Sequence, residues 1–335
     1  VVSFAIAAVA KKASMSVTIT NRLRSALLLI AIGIASHAQA AESPIALETP
    51  GGQLAGTLEL PAGVAKPRVA LIIAGSGPTD RDGNSSMIPG RNDSLKLLAA
   101  GLADAGIATV RYDKRGIGAS AAAGPAESAL RFDTFVDDAT AWIARLKSDP
   151  RFASVAVIGH SEGSLIGMLA AQQAGAAAYV SIAGIADSAS TLLRKQLEGK
   201  LPPDLEKESE RILAALESGV VVDPVSPALA ALYRPSVQPY LISWFKYVPA
   251  QRIAALTMPV LIVQGNTDIQ VDVVQANRLH SARPGAKLAI IPGMNHVFKH
   301  VRAEPELQLA SYGDPALPVS PLLVKSIADF LHQPH

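Results

Sequence analysis

"AVIGHSEGSL", residues 156–165, places Ser161 two positions after Gly159 and two positions before Gly163. The residues just upstream, Ser154 to Ile158, are small or β-branched, and a helical pattern runs downstream from Ser161 to Gln173. A strand that passes straight into a helix through a turn flanked by glycines pushes the residue between them outward, into a strained and exposed position. This is the G-x-S-x-G nucleophile elbow, and its strand–turn–helix context makes Ser161 a candidate nucleophile.

The surrounding chain fits such an elbow. "VALIIAG" (69–75), "IATVRYD" (107–113), "SVAVIGH" (154–160), "AYVSIAG" (178–184), "PVLIVQG" (259–265) and "KLAIIPG" (287–293) are short apolar runs. Such runs suit strands buried on both faces. Helical patterns lie between them at Leu95–Ala105, Phe132–Leu146 and Val273–His280, and another ends the chain at Leu322–Leu331. The alternation predicts an α/β fold with a mostly parallel central sheet covered by helices on both faces. Residues 45–60, with Pro50-Gly51-Gly52 in the middle, read as an N-terminal β-hairpin. One interval breaks the rhythm. About 70 residues, 187–256, separate two strands where a single helix would suffice. They read as an inserted helical cap over a core made of 41–186 and 257–335.

Composition narrows the classes further. From Met15 the chain shows Arg22 and Arg24, an apolar run from Ala26 to Ala35, then Ala38-Gln39-Ala40. That pattern predicts a removable export signal within a leader at 1–40, with residues 1–14 upstream of its natural start. The apolar run is too short for a span of about 20 residues, so no stable membrane anchor is expected and the mature chain is expected to be exported, periplasmic or secreted. Four of the 30 basic residues, Lys11, Lys12, Arg22 and Arg24, lie in that leader, leaving 26 against 28 acidic ones. This balance gives no support for a nucleic-acid partner. The chain has 0 cysteines, which excludes disulfides, thiolate catalysis and cysteine-ligated zinc.

A serine hydroxyl needs a base to take its proton, and the base needs an orienting acid. In an architecture of this kind both follow the serine, each after a strand, acid first. Asp268 in "VQGNTDIQV" and His296 in "IPGMNHVF" occupy those positions. Asp187 and, less favourably, Asp272 compete for the acid role. His160 is expected to pack or bond locally. His296 and His300 are four residues apart, but no carboxylate motif accompanies them, so neither a metal nor a cofactor is expected. The oxyanion donors are expected to be the backbone N–H groups of Glu162 and Ser76, the latter between Gly75 and Gly77, with the Glu162 side chain solvated. Asp80, Arg81, Asp82, Asp113 and Arg115 are expected to brace loops as ion pairs.

"GHSEG", "GSGPTDRDGN" (75–84) and "YDKRGIGAS" (112–120), with the acid and histidine loops, resemble the α/β-hydrolase superfamily. More narrowly they resemble bacterial secreted carboxylesterases near the serine-aminopeptidase-like hydrolases. The resemblance spans residues 45–333 and implies a serine esterase with Ser161, Asp268 and His296 as its triad and a small-molecule ester as its substrate. It departs from the commoner pattern at Ala74, where a histidine often precedes the oxyanion glycine, and in lacking an HGGG run. An aminopeptidase or amidase is the alternative, with Glu162, Asp80 or Asp82 receiving a substrate ammonium. A non-catalytic binding module of the same fold fits less well, because all three triad residue types are present.

The cap carries a concentration of aromatics. Tyr240, Trp244 and Tyr247 are spaced i, i+4, i+7, which predicts one helical face. That face either glues the cap to the body or also walls the substrate pocket.

Overall fold

The computed structural model describes residues 40–334. The expected leader lies outside the described residues except for Ala40. Eight strands form one sheet: β1 (Ala41–Thr49), β2 (Gly52–Leu60), β3 (Val69–Ile73), β4 (Ala108–Tyr112), β5 (Val155–His160), β6 (Ala178–Ile182), β7 (Val260–Gly265) and β8 (Lys287–Ile291). Their spatial order is β1-β2-β4-β3-β5-β6-β7-β8. The hairpin β1–β2 joins β4 antiparallel, and every pair from β4 to β8 is parallel.

The apolar runs are strands because both of their faces are covered. Successive side chains on a strand point to opposite faces. In β3, Val69, Leu71 and Ile73 therefore join the cluster of α2 (Phe132–Lys147) and α3 (Glu162–Ala174). Ala70 and Ile72 join α1 (Ser94–Asp104) and the C-terminal helix (Pro321–Leu331) on the other face.

Between β6 and β7 the chain forms α4 (Ala189–Leu197), α5 (Pro203–Glu217), α6 (Ala230–Tyr233), α7 (Gln238–Phe245) and α8 (Pro249–Ala254). The first four of these enclose an apolar cluster of their own around Leu193, Ile212, Leu216, Tyr233 and Phe245. After β7 come α9 (Val273–Ala282), then, beyond β8, α10 (Pro305–Ser311) and α11 (Pro321–Leu331). The helix α10 is an addition to the sequence-based expectation.

The turn from β5 into α3 explains both flanking glycines by close approach. A Cβ on Gly159 would lie 2.2 Å from the Gly163 carbonyl O. One on Gly163 would lie 2.4 Å from the Ile73 O and 2.5 Å from the Ala74 O, both rigid backbone of the neighbouring strand end. Ser161 between them has φ 56° and ψ −120°, a positive φ that side chains rarely adopt. Such a residue costs on the order of 1–3 kcal/mol, offset here by the Ser161 N–H bond to Ile182 O at 2.9 Å. Gly163→Ala should therefore lower the unfolding free energy by about 3 kcal/mol, the upper end of overpacking costs. Urea denaturation reads this directly, and an unchanged midpoint would contradict the packing described.

Candidate active site

From β3 the chain crosses to β4 on one side, and β5 then starts the run toward β8 on the other. The crevice between the C-terminal ends of β3 and β5 is thus a topological switch point, where open α/β sheets bind ligands. Ser161 leaves β5 there, and the Gly75–Ser76 peptide leaves β3 beside it. The approach is close: a Cβ on Gly75 would sit 3.3 Å from the Ser161 Cβ. Among the described residues the Ser76 N–H has no backbone acceptor. Glu162 begins α3, so its N–H lacks a carbonyl one turn earlier and lies at the positive end of the helix dipole. Both amides are available to an oxyanion beside Ser161.

The loops after β7 and β8 bring Asp268 and His296 together. His296 Nδ1 lies 2.8 Å from Asp268 Oδ2, and both side chains are buried. The carboxylate is held from three further directions. Its Oδ1 accepts the Gln270 and Val271 amides at 2.8 and 3.0 Å, and its Oδ2 accepts Gln264 Nε2 at 3.1 Å. With Nδ1 donating to Asp268, the Nε2 of His296 is the basic nitrogen. His296 lines the same cavity as Ser161, Gly75 and Ser76.

The two competing acids are occupied elsewhere. Asp187 accepts from Lys195, Arg278 and Gln275 at 3.0, 2.5 and 2.9 Å. Burial pushes its carboxyl up, but these partners outweigh it and hold the group below the usual range. Asp272 caps α9 by accepting the Gln275 N–H at 3.2 Å. His300 is exposed whereas His296 is buried.

His160 bonds far from its own stretch of chain. Its Nε2 lies 3.0 Å from the His296 carbonyl O, 136 residues away, and the two rings stand 4.7 Å apart. A carbonyl can only accept, so Nε2 carries the proton. His160 thereby ties the elbow strand to the loop of the candidate base.

The Glu162 side chain is buried, which corrects the expectation that it is solvated. Its Oε2 pairs with Lys114 Nζ at 3.0 Å and its Oε1 accepts the Tyr240 hydroxyl at 2.5 Å. The local sequence gives no signal for this, because the partners come from the β4 loop and from α7. The charged loop residues do form ion pairs: Arg81 with Asp113 at 2.6 Å, Arg115 with Asp138 at 2.5 Å, and Asp82 with Arg111. Asp80 instead accepts the Asp82 and Asn84 amides, both at 2.9 Å.

The aromatic trio does not share one helix. α7 ends at Phe245, so Tyr247 lies beyond the helix that the spacing implied. All three rings gather on Phe132 of α2, with Trp244 stacked on it at 5.9 Å and 2° between planes. Only Trp244 of the trio also lines a cavity of about 60 Å³ next to Ser161, with Leu165, Ile185, Leu192, Leu193 and Val271. Tyr240 and Tyr247 direct their hydroxyls to Glu162 and Asp133 instead of a cavity.

Burial, followed by the neighbouring His296, pushes the His160 imidazole well below its usual range. The folded protein therefore binds fewer protons at this ring than the unfolded chain does below the free value of ~6.5. The stability held above that value is lost as pH falls through it. From about pH 6.5 to about pH 5, the wild-type Tm should drop more steeply than that of His160→Gln. Parallel Tm curves in calorimetry would contradict the assignment of a neutral His160.

Known proteins share this arrangement of elements. The family described as serine aminopeptidase, S33, matches residues 89–223, which include the elbow but neither Asp268 nor His296. No curated protein sequence matches the chain. Est1E from Butyrivibrio proteoclasticus superposes with a TM-score of 0.55 at 17% identity, over 86% of this chain and 97% of that one. The α/β hydrolase GrgF from Penicillium sp. sh18 gives 0.53 at 21% identity, over 76% and 91%. A thermophilic esterase from Thermogutta terrifontis gives 0.51 at 14%, over 86% and 98%. The strand order, the strained serine turn between β5 and α3 and these likenesses converge: the chain has the α/β-hydrolase fold.

Proposed function

We propose that the protein is a serine hydrolase that cleaves carboxylic esters of apolar acids through an acyl-enzyme. The observation that carries this reading is the His296–Asp268 bond of 2.8 Å in a loop whose imidazole shares a cavity with Ser161. His296 takes the Ser161 proton as the hydroxyl attacks the ester carbonyl. Asp268 holds the imidazole in the required tautomer and stabilises the imidazolium. The Ser76 and Glu162 amides receive the oxyanion. His296 then returns the proton to the departing alkoxide, and in the second half-reaction it activates water against the acyl-serine.

The two cavities at Ser161 divide these tasks. Both are bordered by Ser76, Ser161 and Gln270, but His296 lines only the one beneath the β3 loop. The leaving alcohol must reach the proton on His296, so it occupies that cavity. The acyl group takes the other, walled by leucines, Val271 and Trp244 under the helical cap.

The match to serine aminopeptidases supports a second reading, hydrolysis of an N-terminal aminoacyl bond. That substrate would carry an ammonium on the acyl side. The carboxylate bordering that cavity is Glu162, already paired with Lys114 and Tyr240. Charge matching therefore supports the ester. A panel of p-nitrophenyl esters beside aminoacyl anilides separates the two. Ester turnover well above anilide turnover is expected, and the reverse order would favour the aminopeptidase. Ser161→Ala and Asp268→Asn should each lower turnover by about 10⁴-fold or more while leaving the fold intact.

Trp244→Ala should shift preference toward longer acyl chains, with each added methylene worth at most about 1–3 kcal/mol. An unchanged chain-length profile in the folded variant would remove Trp244 from the acyl wall. Export is part of the proposal: the mature protein should begin at Ala41, which N-terminal sequencing of the exported fraction reads.

A further inference from the structure

Lys114 follows β4 and is buried at 2% side-chain exposure, yet no step of the reaction above uses it. Two of its three N–H donors have acceptors inside the fold. Nζ donates to the Gly75 carbonyl O at 2.6 Å and to Glu162 Oε2 at 3.0 Å, and it stands 5.1 Å from the centroid of the Phe135 ring. The Gly75 carbonyl belongs to the same peptide unit as the Ser76 N–H. Glu162 supplies the other N–H. A single ammonium thus holds both candidate oxyanion donors from behind, one through its own peptide plane and one through its side chain.

Resting on the serine-hydrolase reading, we propose that Lys114 is the positioning residue of the oxyanion hole. A planar amide cannot turn its N–H without turning its C=O. The bond to Gly75 O therefore fixes the direction in which the Ser76 N–H points. Hydrogen-bonded chains also polarise one another, so a charged donor on the carbonyl strengthens the N–H on the opposite side of the unit. The Tyr240 hydroxyl on Glu162 Oε1 extends the same network to α7 of the cap. No bond is made or broken at Lys114. It acts on the transition state through two amides and leaves ground-state binding of the ester to the apolar cavity.

The test compares Lys114→Met, which leaves Glu162 with one partner fewer, with Lys114→Met/Glu162→Gln, which removes both charges of the buried pair. Ester kinetics, inhibition by an alkylboronic acid and Tm are measured on each, with the wild type and Ser161→Ala alongside. Because a lost oxyanion donor costs about 10²–10³ in kcat, a misaimed one should cost about 10- to 100-fold. The KM should stay within about threefold, and boronate affinity should fall in parallel with kcat, since the tetrahedral boronate mimics the oxyanion. The double variant should show the same losses with a Tm near that of the wild type. If Lys114 served only to close the ion pair, the neutral pair would keep full kcat and boronate affinity, and that result would overturn the assignment. Absence of Ser161-dependent ester turnover in the wild type would instead overturn the esterase reading on which the assignment rests.

Discussion

The backbone contact between the start of α3 and the end of β3 governs the rest of this architecture. Gly163 sits so near the Ile73 and Ala74 carbonyls that no Cβ fits between them. Because the helix is pressed onto the strand end, the residue two positions earlier must turn sharply, and Ser161 takes a positive φ. The same contact sets the first free N–H of α3 beside the Gly75–Ser76 peptide. The Ser161 hydroxyl and two candidate amide donors are thereby brought together by one packing constraint at the sheet's switch point. Strain at Ser161 is local, and the strands on either side, buried on both faces, hold it in place.

Around that point the structure satisfies buried charge by pairing it across elements. Lys114 joins the β3 loop to Glu162 at the start of α3, which Tyr240 in turn links to α7, while Arg115 on β4's loop pairs with Asp138 on α2. Asp268 is saturated by three donors besides His296, which leaves its orientation no slack. Bonds of this kind contribute little net stability once desolvation is counted. Their effect is geometric: they set loop positions that an apolar core alone would leave loose. The cap shares in this through aromatic packing on Phe132 and through Tyr240.

Much of this was legible in the chain, for physical reasons that differ by element. Strands buried on both faces are mostly apolar, so β3 to β7 stand out as runs ending near the points where the sheet edge opens, even with Arg111 and Gln264 buried among them. The elbow is legible because close backbone approach demands glycine at two fixed positions. That Asp268 and His296 leave neighbouring strand ends, where they pair, follows from chain order. The remainder depends on partners distant in sequence. Glu162 meets Tyr240 across 78 residues, and His160 meets the His296 carbonyl across 136. No local pattern reports such pairs, so a glutamate in an otherwise apolar helix start reads as solvated. The i, i+4, i+7 spacing of Tyr240, Trp244 and Tyr247 does not report where a helix ends, and here α7 stops at Phe245, before Tyr247. The short α10 had a usable signal, Pro305 at its first turn, but too few residues for a periodicity.

The proposed chemistry requires Ser161 to be an activated nucleophile, and covalent trapping tests this most directly. The protein would be treated with an alkyl fluorophosphonate and digested, and its peptides read by mass spectrometry. One phosphonyl adduct is expected, on the hydroxyl of Ser161, with none formed in His296→Ala over the same time. An unmodified Ser161 in folded protein, or an adduct confined to another residue, would contradict the central claim.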